Sequence, residues 1–200
     1  MLDRVRALDS GEVASYIPQL ALADPARLGI AVASTRGRVY EAGDSDTEFT
    51  IQSVSKPFVY ALALRSRGID EVLTHVDVEP SGEPFNAISL DADSGRPRNP
   101  MINAGAIVVA ALVEGVTAAD KSASIAEGLS AFAGRPLVVD EAVYQSEHDT
   151  GDRNRALAHL TRSAGVLAAS VDVAVETYFR QCSLVVTARD VAIMSATLAN

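Results

Sequence analysis

From Asn99 to Ala110 the chain reads Asn-Pro-Met-Ile-Asn-Ala-Gly-Ala-Ile-Val-Val-Ala, a segment that would be apolar on nearly every face of a helix. A helix without a polar face has to be surrounded, by a protein core or by lipid. The longest apolar run, Ala104 to Val113, is too short for a bilayer, which takes about 20 such residues. The segment is therefore expected to be a buried helix. Asn99 and Pro100 read as an N-cap followed by a first-turn proline, so the predicted helix begins at Met101. Two hundred residues, 48% of them hydrophobic, suffice for one domain with a sizeable core.

The surrounding elements can be read in order. The first residues look helical as far as Tyr16-Ile-Pro-Gln-Leu20, where Pro18 breaks the pattern. Ile30-Ala-Val-Ala-Ser34 and Arg38-Val-Tyr-Glu-Ala42 flank a Thr35-Arg36-Gly37 turn and predict a β-hairpin. The apolar run Phe58 to Leu64 predicts a buried helix. From Val76 to Pro100 the chain is rich in Gly, Pro, Asp and Asn, the signature of a long ordered loop, and such loops often carry function. Helices are then predicted over Ser122–Ala133, closed by Gly134-Arg-Pro136, and over Glu141–Glu147. A further helix is capped by Asp152, and another spans Ser170–Arg180. Thr187 with Asp190 forms a capping-box pattern that opens a last helix. One hairpin among many helices makes an α+β fold in which the sheet, at two strands, is marginal by itself.

The chemistry-bearing pattern is Phe49-Thr-Ile-Gln-Ser-Val-Ser-Lys-Pro57, which sets Ser53 and Lys56 three residues apart where the hairpin region hands over to the Phe58 helix. On a helix that spacing puts both on one face, and a partly desolvated lysine can take the proton of a serine nucleophile. The same residues also suit a capping serine beside a solvated lysine. Pro57 disfavours helical geometry at Lys56 and leaves the helix start open. Free backbone amides near a helix start favour developing negative charge.

Charge and cysteine content narrow the classes. Seventeen Lys and Arg against 26 Asp and Glu give a net charge of −9, which argues against nucleic acid or an anionic membrane as partner. Cys182 is the single cysteine and reads as a small buried apolar residue, fitting a reducing compartment. The start Met1-Leu-Asp-Arg-Val-Arg has no secretory pattern, so the expected location is the cytoplasm. His75, His148 and His159 lack metal-site spacing; no metal and no cofactor are expected. Three polar residues stand out. Asn103 interrupts the apolar helix, and Asn154 falls in the first turn of another. Glu147 precedes Asn154 on the preceding helix. Each has an ordinary reading as a hydrogen-bonded or solvated side chain. Together, amides for a carboxylate and a carboxylate for an ammonium would suit a free amino acid.

These segments closely resemble the bacterial and mitochondrial glutaminases of the serine β-lactamase-like superfamily. The likeness rests on Tyr16–Leu20, Ile51–Pro57, Glu79–Asn86, Asn99–Ile107, Tyr144–Glu147, Gly151–Asn154 and Tyr178–Ser183, in family order. The resemblance implies a serine β-lactamase/penicillin-binding-protein-like fold: a sheet-forming part over 1–60 with the Ser-x-x-Lys pair, a helical subdomain over 61–180, and a return to the sheet over 181–200. It implies hydrolysis of L-glutamine through a Ser53 ester, Lys56 as general base and Tyr178 near the nucleophile as a proton relay. The family's substrate contacts would fall on Tyr16, Gln52, Ser53, Asn103, Glu147, Asn154 and Tyr178, and the assembly would be a homodimer or homotetramer. Family members continue beyond the point matching Asn200 with further strands, another active-site tyrosine and a valine whose N–H serves the oxyanion hole, so the chain is expected to be C-terminally incomplete. A truncated relative that binds glutamine, glutamate or a partner without turnover is the alternative. A penicillin-interacting enzyme ranks lower, because Lys-Thr-Gly is absent from the sequence.

Overall fold

The computed structural model describes residues 2–200. The predicted first helix is a single turn, α1 (Leu2–Val5); Met1 lies outside the described residues. Asp9, Ser10 and Gly11, all poor helix formers, follow it, so Tyr16 stands in a bend ahead of a 3-10 turn at Leu20–Leu22. The hairpin forms as predicted: β1 (Gly29–Ala33) pairs antiparallel with β2 (Val39–Gly43), Gly29 opposite Gly43 and Ala33 opposite Val39. Gly37 closes the turn at φ +78, a left-handed conformation that costs glycine no Cβ clash.

β3 (Phe49–Thr50) leads into a 3-10 turn at Gln52–Ser55 and then α2 (Lys56–Arg67) and α3 (Ile69–His75). The long loop follows. α4 (Asn103–Leu112) starts later than the Asn99-Pro100 pattern suggested. The Asn99 Oδ1 does cap, accepting from the N–H groups of Met101 (3.0 Å) and Ile102 (3.2 Å), but it caps a turn ahead of the helix. That turn lies directly on Gly105, where a Cβ would overlap the Asn99 carbonyl; only glycine permits the approach.

α5 (Ala118–Ala133) begins earlier than its apolar pattern, because Thr117 and Asp120 form a capping box. α6 (Glu141–Thr150) is capped by Asp140. α7 (Asp152–Ser163) has Gly151 at its N-cap, and Asp152 stands one place inside it, paired with Arg155 at 3.6 Å instead of capping. α8 (Val171–Cys182) is capped by Ser170, and after β4 (Val185–Val186) the predicted Thr187–Asp190 capping box opens α9 (Ala188–Leu198). β3 and β4 form a second antiparallel pair, Phe49 opposite Val186, which the sequence did not announce. The result is an α+β fold with a large helical part. No helix among the described residues is long and apolar enough to cross a membrane.

The apolar segment is central, as its composition requires. Every residue of α4 from Ala104 to Leu112 is buried, with α2, α3, α7 and α8 packed around it. Each fully buried Ile or Val there contributes about 1.5–3 kcal/mol over an exposed one, so Ile107→Asp would break the fold. The hairpin is different: none of its residues is fully buried, and α9 lies against β1.

Candidate functional site

The buried start of α4 lies close to one of the chain's few buried cations. Lys56 opens α2, with Pro57 in the first turn where its missing N–H breaks no helical bond. The backbone of Lys56 is helical despite Pro57, because the preceding 3-10 turn closes when the Lys56 N–H donates to the Ser53 carbonyl. Residues three apart eclipse in a 3-10 turn, so Ser53 and Lys56 rise on the same side. The Lys56 side chain is 3% exposed and donates from Nζ to the Met101 carbonyl (2.9 Å) and Asn103 Oδ1 (2.8 Å), with the Phe85 ring 5.6 Å away. Burial lowers this amine to about 8.

Asn103, the first residue of α4, relays the contact. Its Nδ2 donates to Asn154 Oδ1 (3.1 Å) in the first turn of α7. The amide that interrupts the apolar helix thus joins the lysine on one side and a second amide on the other. Gln52, the residue before Ser53, accepts from the Tyr16 hydroxyl at Oε1 (3.2 Å) and donates to Thr50 Oγ1 (3.1 Å). Glu147 of α6 is buried, and burial raises its carboxyl, with Gln52 pulling the other way. The Tyr16 ring is exposed, while burial at its hydroxyl end and then Glu147 raise that hydroxyl to about 12.

Tyr178 of α8 is buried, and burial holds its phenol well above the ordinary value, while a Ser53 contact acts in the opposite direction. Cys182, one turn further along α8, is buried as expected, and burial followed by Glu147 pushes its thiol up to about 12. The candidate site residues fall into three groups that meet at the turn from Gln52 to Lys56: Tyr16 and Glu147 with Gln52, Tyr178 with Ser53, and Asn103 with Asn154 on Lys56. The Met101 carbonyl and Phe85 had gone unnoticed. A carbonyl has no side-chain signature, and Phe85 was one residue of a long loop. Among the described residues no three His, Cys, Asp or Glu side chains gather as a metal site would require.

Chemically, the set offers a serine on a turn, a buried amine of lowered basicity, a neutral phenol, and amides and a carboxylate suited to the two charged ends of an amino acid. The family model described as Glutaminase matches residues 11–200. Glutaminase 1 of Bradyrhizobium diazoefficiens is 53% identical over 199 residues, covering 100% of this chain and 32% of that protein. Glutaminase of Corynebacterium glutamicum is 49% identical over 201 residues, 100% of this chain and 48% of that one. Among solved structures, the native form of Mglu superposes with a TM-score of 0.94 at 49% identity, covering 100% of this chain and 48% of its own. The probable glutaminase ybaS does so at 0.93 and 34%, covering 99% and 64%. The chain thus spans about a third of the length of the first of these relatives and about half of the second.

Proposed function

Because the chain belongs to the glutaminase family, we propose that it hydrolyses L-glutamine to L-glutamate and ammonia, with Ser53 as nucleophile and Lys56 as its general base. The observation that carries this reading is the buried Lys56 amine lowered to about 8 beside Asn103. At pH 7 about a tenth of such an amine is neutral, against a far smaller fraction of an ordinary lysine. A neutral amine has two N–H groups and one lone pair. The Met101 carbonyl and Asn103 Oδ1 take the two hydrogens, which leaves the lone pair for the Ser53 hydroxyl on the same side of the turn.

In the first half-reaction Lys56 takes the Ser53 proton, and Oγ bonds to the side-chain amide carbon of glutamine. Tyr178, neutral because its phenol is held so high, can pass a proton to the leaving nitrogen as the C–N bond breaks and ammonia departs. The proton that Lys56 gained passes to Tyr178 and restores both groups; water then attacks the glutamyl ester, Lys56 takes its proton, and that proton returns to Ser53 Oγ as the ester bond breaks. Glu147 holds the α-ammonium; the ionic contact offsets the burial that otherwise favours its neutral form. Asn103 and Asn154 hold the carboxylate end, and Tyr16 and Gln52 complete the contacts.

The same reading takes residues 1–60 as the sheet-forming part, 61–180 as the helical part and 181–200 as the return to the sheet. It takes the protein as a cytoplasmic homodimer or homotetramer, and light scattering that found only monomer would remove the assembly. The deciding measurement is ammonia release from L-glutamine by this chain beside Ser53→Ala. Release that disappears in the variant supports the proposal. Glutamine binding by a folded chain without release would instead favour a binding-only relative, a reading prompted by the chain's short span of its relatives.

A further inference from the structure

Gln52 is the one non-glycine residue with positive φ, at +48, among the described residues. Glutamine has no intrinsic reason to occupy the left-handed region, and such a residue persists only where its surroundings over-determine it. The backbone around it is held at three points. The Ile51 N–H donates to the Leu184 carbonyl (2.8 Å). The Ser55 hydroxyl donates to the Gln52 carbonyl (2.6 Å), and Ser55 Oγ in turn accepts from Gln181 Nε2 (2.9 Å).

Ser55 is 0% and Gln181 1% exposed, so the chain of bonds is shielded from water. It also has a fixed direction. A hydroxyl has one proton; with that proton on the Gln52 carbonyl, Ser55 can only accept, and the Gln181 amide must present its nitrogen. Its Oε1 is left buried without a partner. A buried acceptor left unpaired is a standing cost, which a methionine or leucine would avoid. Gln181 follows Tyr178 by three residues on α8, on the same helix face, so one face of α8 meets the turn at Ser53 through Tyr178 and at Ser55 through Gln181.

We infer that Gln181 and Ser55 are positioning residues: their buried hydrogen-bond chain holds Gln52 in its left-handed conformation and thereby presents the Ser53 hydroxyl between Lys56 and Tyr178. Neither side chain touches substrate. Both act through the shape of the turn, and the unpaired Gln181 oxygen is the residual cost of keeping the amide there. The inference rests on Ser53 as the nucleophile.

The test uses Gln181→Met, which keeps the side-chain volume and removes the amide, and Ser55→Ala, with ammonia release from L-glutamine, thermal melting and crystal structures as readouts. For both variants kcat is expected to fall by about ten- to a hundredfold, the cost of a misplaced reacting group. KM should change by less than kcat, since Tyr16, Asn103, Glu147 and Asn154 lie off the turn and only the Gln52 contact shifts with it. The Tm of Gln181→Met should hold or rise, because the unpaired oxygen leaves with the amide. In the crystals Gln52 should have left the left-handed region. An unchanged kcat, a loss of activity that only follows loss of folded protein, or Gln52 still at positive φ in both variants would each overturn the inference. Should the unsubstituted chain release no ammonia, the glutaminase reading fails separately, and the Gln52 conformation in the variant crystals alone decides for or against the positioning role.

Discussion

A buried lysine meets each end of helix α4, Lys56 from α2 at the start and Lys121 from α5 at the finish, and the proposed function puts the two to opposite uses. Where α4 stops, Lys121 donates to the Val113 carbonyl (2.7 Å), while Arg67 Nε (3.0 Å) and Ser66 Oγ (3.4 Å) donate to the Leu112 carbonyl. Where α4 starts, Lys56 donates to the Met101 carbonyl and to Asn103 Oδ1. Lys56 and Lys121 are 3% and 4% exposed, so solvent access does not separate them. The aligned peptide dipoles make the C-terminal end of α4 partly negative and the N-terminal end partly positive. A cation is favoured at the first place and opposed at the second. Burial lowers both amines, and Lys56 reaches about 8. On the proposed reading, the lysine at the start of α4, where the dipole opposes its charge, is the one used as a base, while the lysine at the other end caps the helix.

The largest effect expected from breaking this contrast is that of Lys56→Met. It should lower turnover by about 10²–10⁴-fold, the range of a lost general base. Circular dichroism should show the fold intact, because the variant also removes a buried charge from the wrong end of a dipole. Lys121→Met should do the reverse. Turnover should persist, while urea melts show a loss of about 1–3 kcal/mol from a buried carbonyl left without its donor. Equal loss of turnover in the two variants would erase the distinction.

The pH dependence sharpens it further. A general base works when deprotonated, so kcat/KM should rise with pH through about 8 and level off above. Lys121→Met should leave that profile in place. The stability sign follows from the same shift. The unfolded chain keeps the Lys56 proton up to the ordinary lysine value and the folded chain only to about 8. Between those limits the Lys56 contribution therefore makes the fold more stable as pH rises. Arg67→Ala should give the smallest effect, a loss of about 0.3–1 kcal/mol at the helix C-terminus with activity unchanged. Its ion pair with Glu71, 3.8 Å long and half-exposed, adds little.

Much of the candidate site was legible because its signals are local or compositional. Ser53 and Lys56 are three apart, Asn103 is the polar residue in an apolar helix, and Glu147 and Asn154 flank one helix junction. A resemblance to a family then related them to one another. What stayed hidden lacks any such mark. Lys121 and Gln181 look like surface residues in helical patterns, and nothing nearby in the chain says that they are buried. The late start of α4 was missed because Asn99 caps a turn folded over Gly105 before it caps a helix. The β3–β4 pair joins two short segments far apart in the chain, and neither is long enough to show a strand pattern.

The sequence by itself determined the hairpin with its Gly37 turn, the Thr187–Asp190 capping box, the burial of α4 and the Ser-x-x-Lys spacing. Each of these depends on neighbours within a few residues, or on an apolar segment having no other stable location. Only the tertiary structure decided which lysine meets the start of α4, that Gln52 stands at positive φ and which carbonyls the buried cations meet. Those properties arise when α8 closes on the 3-10 turn and α2 closes on the start of α4. Dielectric, dipole and hydrogen-bond partners are set there by elements that the chain supplies far from one another.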